Sequence, residues 1–347
     1  MNISQIDRNF AVQTTLDIDN IKFYDVNEKP FSVYGVFYVD GKFRRLPEEV
    51  AKTVSPSVLR LHSHTAGGRV KFITNSPYVA IHAKMPVIGK MPHFALTGSS
   101  GFDLYVGKKE VFFNAFVPPF KIVDGYESII RFPDSTEREI TINFPLYCEI
   151  TELYIGLAEN AVVKKSAGYK HKKPIVFYGS SITQGGCTSR PGNTYESIIA
   201  RALQTDYTNL GFSGSALAED EIAEYIKGLD MSVFVYDYDH NSPTLQHLKD
   251  THQKMFQTIR NHNPELPIVI LTRPRYNMGG GYQDRLAVIK KTYTDALDAG
   301  DKNVYFMDGH TLMKFAKNDG SVDGCHPNDL GFHSMAKSLI PLLRSLI

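Results

Sequence analysis

Two rhythms of apolar and polar residues divide the chain. From about residue 31 to 157, apolar residues recur in short alternating runs. Residues 68–84, G-R-V-K-F-I-T-N-S-P-Y-V-A-I-H-A-K, alternate on both sides of an Asn-Ser-Pro break and predict two β-strands joined by a turn. F-D-L-Y-V, E-V-F-F-N-A-F, S-I-I-R-F, E-I-T-I-N-F and E-L-Y-I-G-L follow at short spacing, separated by turn signals and with little helical periodicity. That pattern predicts a β-sandwich. After His171-Lys172-Lys173 the rhythm changes. P-I-V-F-Y, S-V-F-V-Y, P-I-V-I-L and N-V-Y-F-M each read as a strand buried on both faces. Amphipathic helices lie between them. Residues 193–204 carry Ile198, Ile199 and Leu203 on one face; residues 243–261 carry Leu245, Leu248, Met255, Phe256 and Ile259; residues 283–299 carry Leu286, Ile289, Tyr293 and Leu297; residues 330–347 form a last helix. Strand alternating with helix predicts a parallel sheet covered by helices, hence an α/β domain over residues 171–347 behind a β-sandwich domain over residues 1–170.

Composition narrows the classes of function. A chain of 347 residues exceeds what one core usually organises, which agrees with two domains. Lys+Arg 38 against Asp+Glu 37 leaves a net charge of +1, which points to neither nucleic acid nor an anionic membrane surface as partner. No apolar run approaches the ~20 residues of a membrane span. The start M-N-I-S-Q-I-D-R-N-F lacks the basic end and apolar stretch of a signal peptide. That fits a cytoplasmic protein or a chain whose signal has been removed, and localisation stays open between the two. Three cysteines, Cys148, Cys187 and Cys325, are too few for a disulfide framework.

The candidate chemistry gathers where strands of the second half end. Open parallel sheets bind ligands at the carboxyl ends of their strands. The first such end reads G-S-S-I-T-Q-G-G, with Ser180 and Ser181 side by side. Alone, serines there cap or turn the chain. A serine nucleophile also needs a histidine base and a group to fix that histidine's tautomer. D-G-C-H-P-N-D supplies Asp323 and His326, three apart, between the last strand and the last helix. Such a turn can aim both side chains at one spot. Oxyanion donors are the remaining need. N-L-G-F-S-G, after the second strand, offers Gly214, and Y-D-Y-D-H-N-S-P, after the third, offers Asn241, whose commoner role is a helix cap.

These four elements, in this order, resemble the SGNH hydrolases of the GDSL lipase/acylhydrolase superfamily, from about residue 174 to the C-terminus. G-S-S-I-T resembles the block usually written G-D-S-L-T, which puts the nucleophile on Ser181 and leaves Ser180 where aspartate is commoner. The resemblance implies Ser181, His326 and Asp323 as catalytic triad, and the backbone N–H groups of Ser181 and Gly214 with the Asn241 amide as oxyanion hole. Thr183 and Gln184 continue the pattern and would brace the nucleophile loop. It implies a flavodoxin-like α/β/α fold and no metal or other cofactor. In the first half, G-F-D-L-Y within residues 93–106 is similar to the Gly-x-Asp-Leu-Tyr segment of a jelly-roll-like N-terminal domain fused to such hydrolases. T-Q-G-G-C-T-S-R-P-G, residues 183–192, matches a second signature of that subgroup.

The implied activity is a serine esterase acting on short acyl groups. Gly, Ser, Thr, Asn and Asp surround the motifs, which suits a small acyl group on a hydroxyl-rich body better than a long chain. Two-domain carbohydrate esterases of this fold point to an O-acetylated glycan, by fold analogy. Arg190 and Arg273 lie in loops near the expected site and could bind an anionic group or form surface ion pairs. If the nucleophile and histidine loops converge, Cys187 and Cys325 share a rim, either as thiols or as a disulfide. Two other readings compete. His62, His64, His82 and His93 include an H-x-H pair suited to a metal, but no carboxylate or cysteine accompanies them in that stretch. A carbohydrate-binding protein with an inactive hydrolase domain is the alternative function. Against it, every reacting position holds a competent residue.

Overall fold

A computed structural model describes residues 12–277, 279 and 281–347, so the N-terminal stretch examined above for a signal lies outside the described residues. The alternating runs of the first half become two large antiparallel sheets, besides the small hairpin of Phe37–Val39 and Lys42–Arg44. One has the strand order Ile21–Asp25, Glu152–Ala158, Tyr78–Lys84, Gly125–Arg131. The other runs Val163–Lys164, Arg69–Thr74, Arg138–Asn143, Phe102–Val106, Val111–Phe116, with Ser32–Tyr34 also paired to Arg69–Thr74. Val70, Phe72, Ile140 and Ile142 from one sheet meet Val79, Ile81, Leu153 and Ile155 from the other in a single core. The expected strands at residues 68–84 both form but do not pair with each other. Each joins a different sheet, because the Asn75-Ser76-Pro77 bend carries the chain across the sandwich. Ser76 makes that crossing affordable: buried, its Oγ donates to the Tyr78 carbonyl at 2.6 Å and accepts the Ala158 N–H at 3.1 Å.

The second half is a five-stranded parallel sheet in the order Thr205–Gly211, His171–Gly179, Val233–Asp237, Ile268–Leu271, Val304–Met307. The continuous apolar runs are explained by helices on both faces. Val176 and Tyr178 point into one core with Phe234, Tyr236, Leu248 and Ile259. Ile175 and Phe177 point into another with Tyr195, Ile199, Phe332 and Leu339. A side chain of this size contributes about 1.5–3 kcal/mol when fully buried. Strand order reverses between His171–Gly179 and its two neighbours, which is where such sheets open a crevice for a ligand. The edge strand Thr205–Gly211 is polar in sequence, yet Thr205, Tyr207, Asn209 and Leu210 are buried.

The chain divides into two compact units, but not at one point. Residues 45–62 belong with the parallel sheet, and Arg190–Gly192 belongs with the sandwich. The strand-rich reading of residues 31–157 missed the helices Glu48–Val54 and Pro56–Leu61, besides the single turn Leu96–Ser99. Their local signals are clear in retrospect. Glu48 and Glu49 sit in the first turn of one helix and Lys52 in its last, matching the helix dipole. Ser55 caps the next, its Oγ accepting the Val58 N–H at 3.1 Å, with Pro56 as the first helical residue. Leu46, Ala51, Val58 and Leu61 are buried against Ile222, Ala223 and Ile226 of the α/β unit. No helix among the described residues is long and apolar enough to cross a membrane.

Candidate active site

Both serines close the strand His171–Gly179, with different duties. Ser180 is buried and caps the short helix Ser181–Gln184, its Oγ accepting the Ile182 N–H at 3.1 Å. Serine thus does the capping work an aspartate could do at that position. Ser181 is the first helical residue, and its Oγ lies 3.0 Å from His326 Nε2.

The histidine is delivered by the turn that Asp323 closes. Asp323 Oδ1 accepts the N–H groups of Cys325 at 2.9 Å and His326 at 2.7 Å, while Oδ2 lies 2.8 Å from His326 Nδ1. One carboxylate therefore shapes the loop and orients the ring. With Nδ1–H donated to Asp323, Nε2 is left as the acceptor facing Ser181. Burial pushes the Asp323 carboxyl up, but hydrogen bonds from the His326 ring and the two turn amides outweigh it and hold its pKa well below the carboxylate range.

Gly214 lies in the loop after Thr205–Gly211, with φ of +68°, in the left-handed region that favours glycine. In that loop the N–H groups of Ser215 and Ala216 return to the Phe212 carbonyl. Asn241, at the end of the turn Asp239–Asn241, donates Nδ2 to the same carbonyl at 2.9 Å. An amide nitrogen carries two hydrogens, so one remains beyond this bond. The Gly214 loop and Asn241 are thus tied together.

The two arginines read as anion contacts are committed elsewhere. Arg273 and Arg285 both grip the buried Asp239: Arg273 through Nε at 3.2 Å and Nη2 at 3.1 Å, Arg285 through Nε at 2.7 Å. Burial raises the Asp239 pKa, but Arg273 dominates and brings it to about 2. This double clamp fixes the turn that ends in Asn241. Arg190 donates to the fully buried Asp103 at 3.1 Å and to the Tyr105 hydroxyl, and its guanidinium stacks on Phe112, 3.8 Å from the ring centroid. The Gly192 N–H reaches the same Asp103 at 2.8 Å, and a Cβ on Gly192 would come within 2.2 Å of the Tyr105 hydroxyl. The aspartate and tyrosine of G-F-D-L-Y therefore hold the arginine and glycine of S-R-P-G, and two signatures far apart in sequence form one constellation.

Cys187 and Cys325 are both free thiols. Burial, then the charges of Asp323 and Cys325, push the Cys187 thiol up to about 12, so the two loops do lie within electrostatic reach. Of the histidines weighed as metal ligands, His82 is taken by Glu127 at 3.0 Å, and His62 belongs to a different unit from His64.

Three groups behind the site were missed. Arg45, buried, donates to the Gly211 carbonyl at 2.6 Å, to the Asn209 carbonyl at 3.1 Å and to the Leu61 carbonyl at 2.8 Å. It braces the strand end that leads to Gly214. Asp237, at the end of Val233–Asp237, accepts from Thr183 and Tyr195, each at 3.2 Å. Burial raises its pKa to about 7. Nearby Glu196 is fully buried, with neither carboxyl oxygen hydrogen-bonded through its side chain to a described group. Burial first, then the Asp237 charge, raises its pKa well above the carboxylate range. Only the arginine beside an apolar run, R-R-L-P, could have signalled Arg45; the two acids read as ordinary helix-start and strand-end residues.

The model of the GDSL-like lipase/acylhydrolase family matches residues 172–344. The model for the N-terminus of SGNH-hydrolase-type esterases matches residues 21–163. The chain belongs to the GDSL-like lipase/acylhydrolase family. Among solved structures, this acylhydrolase-family chain is similar to a protein described as a GDSL-like lipase from Bacteroides ovatus ATCC 8483, with 28% identity and a TM-score of 0.84 over 94% of this chain and 98% of that one. It shares its fold with a salicylyl-acyltransferase from a tetracycline biosynthetic pathway, at 20% identity and a TM-score of 0.75 over 95% and 98% of the two chains. The same holds for a family two carbohydrate esterase from Cellvibrio japonicus, at 13% identity and a TM-score of 0.61 over 94% and 98%. No curated protein matches the chain.

Proposed function

We propose that the protein hydrolyses short-chain esters, O-acetyl groups on a carbohydrate above all, through Ser181, His326 and Asp323. The observation that carries this reading is the relay in which Ser181 Oγ lies 3.0 Å from His326 Nε2, and His326 Nδ1 lies 2.8 Å from Asp323. In this mechanism His326 takes the Ser181 proton as the oxygen attacks the ester carbonyl. Asp323, held ionised, stabilises the imidazolium that forms. The oxyanion is met by the N–H groups of Ser181 and Gly214 and by the Asn241 amide. The tetrahedral intermediate collapses, His326 protonates the departing alcohol, and an acyl-serine remains. Water, deprotonated by His326, attacks that acyl group and frees the acid and the enzyme. Polar residues around the motifs support a small acyl group. The carbohydrate esterases with this fold, one of them described as an acetyl xylan esterase from Butyrivibrio proteoclasticus, support a glycan.

The test is a series of 4-nitrophenyl esters from acetyl to octanoyl, followed by acetylated sugars, with Ser181→Ala as control. Acetyl esters should turn over fastest, and a fluorophosphonate should label the wild type but not Ser181→Ala. Labelling that persists in Ser181→Ala moves the nucleophile to another residue. Octanoyl turnover above acetyl overturns the short-acyl assignment.

A further inference from the structure

The segment T-R-P-R, after the strand Ile268–Leu271, contains two arginines with opposite fates. Arg273 is spent on Asp239. Arg275 has no carboxylate partner among the described residues, and its Nε is buried without a hydrogen-bond acceptor. An Nε–H left in that state is costly, because a buried donor without an acceptor loses its hydration and gains nothing in return. Arg275 lines a pocket of about 260 Å³ with Tyr276, Lys317, Ser321, Gly324 and Cys325. No lining side chain is acidic, and Lys317 adds a second positive charge that also has no carboxylate partner among the described residues. Tyr276 is fixed by stacking on His310, with ring centroids 4.4 Å apart, and its carbonyl lies 3.0 Å from His310 Nδ1.

The pocket's position gives these charges a meaning. Gly324, Cys325 and Pro327 flank His326 in the turn that places the ring, so one side of the pocket is the histidine loop. Asp323, the carboxylate of that loop, is occupied by the ring and the turn amides. A group bound at Arg275 therefore lies against the loop that carries His326. The volume is below the ~300–1,000 Å³ of whole small-molecule sites, which suits one polar substituent of a substrate. A planar guanidinium matches a carboxylate in two parallel hydrogen bonds.

We infer that Arg275 binds a carboxylate carried by the ester substrate and makes the enzyme selective for acidic esters. This rests on the esterase reading above. The carboxylate can come from the sugar, as in a uronic acid, or from the acyl group, as in a hemisuccinate, and the experiment has an arm for each. Wild type and Arg275→Gln are compared on 4-nitrophenyl hemisuccinate against its neutral methyl ester, and on acetylated methyl glucuronoside against acetylated methyl glucoside. In at least one arm the wild type should favour the acid by tenfold or more in kcat/KM, mainly through KM. That ratio should collapse toward one in Arg275→Gln and recover in part in Arg275→Lys. Using a ratio cancels any general loss of activity or folding. No preference for the acid in either arm, or a preference that survives Arg275→Gln, overturns the inference while leaving the esterase intact. If none of the four esters is cleaved, the esterase reading fails instead. Binding of free glucuronate and succinate to Ser181→Ala, with and without Arg275→Gln, then tests the pocket alone, and equal binding to both overturns it.

Discussion

At the scale of single residues the candidate site separates the groups proposed to react from the groups that hold them. Asn241 is the sharpest case, because its side chain braces the Phe212 carbonyl and keeps a second amide hydrogen, which the proposed mechanism assigns to the oxyanion. A donor used only as charge develops should leave substrate binding nearly untouched. Asn241→Ala should therefore lower kcat on 4-nitrophenyl acetate by ~10²–10³ with little change in KM. A loss confined to KM would assign Asn241 to binding. Ser180 shows why the family pattern tolerates change next to Ser181. Its role is to accept one backbone N–H, which several short polar side chains can do.

At the scale of elements, the end of Val233–Asp237 carries an acid bonded to the short helix Ser181–Gln184. Asp237 accepts from Thr183, within Ser181–Gln184, and from Tyr195, and its pKa is raised by burial to about 7. An acid whose pKa rises on folding binds more protons folded than unfolded between the ordinary ~3.9 and the raised value. Its stabilising contribution is thus full below ~3.9 and is lost as pH climbs to about 7. Asn imitates the protonated acid and keeps an acceptor for both hydroxyls. Asp237→Asn should gain in Tm relative to wild type on going from pH 5 to pH 8, by calorimetry. Parallel pH profiles of the two proteins would remove Asp237 from the titration. This element also shows what a sequence discloses. The apolar run ending at Tyr236 announces a buried strand, and the motifs at strand ends point to the candidates Ser181, Gly214, Asn241, Asp323 and His326, of which the first and last two meet in one relay. Whether the aspartate after that run is solvated or sealed depends on Tyr195 and Glu196, which come from another element. Arg45 and the two helices near it escaped for the same reason: their apolar face makes sense only against a sheet encoded far downstream. The pairing at residues 68–84 failed because a local turn signal does not say whether the chain reverses within a sheet or crosses to the other.

At the scale of the whole molecule, the two units do not correspond to two consecutive stretches of chain. A fragment of residues 169–347 lacks Leu46, Ala51, Val58 and Leu61 from its core, and lacks Arg45 at Asn209 and Gly211. Each missing large apolar side chain leaves a cavity worth ~2–5 kcal/mol, against a total stability of about 5–15 kcal/mol. That fragment should therefore be insoluble or show no cooperative calorimetric transition; a sharp transition would mean that residues 45–62 are dispensable. The same interleaving bears on how the protein is born. Residues 45–62 leave the ribosome before any strand of their sheet exists, and roughly 100 residues must follow before the first one does, about 5–20 s at ordinary synthesis rates. Arg190–Gly192, which completes the sandwich, is made later still. The sandwich must wait for residue 192 and the α/β unit for nearly the whole chain, so the nascent chain must carry an apolar helical face unburied through most of its translation, the period in which a chaperone has the most to do.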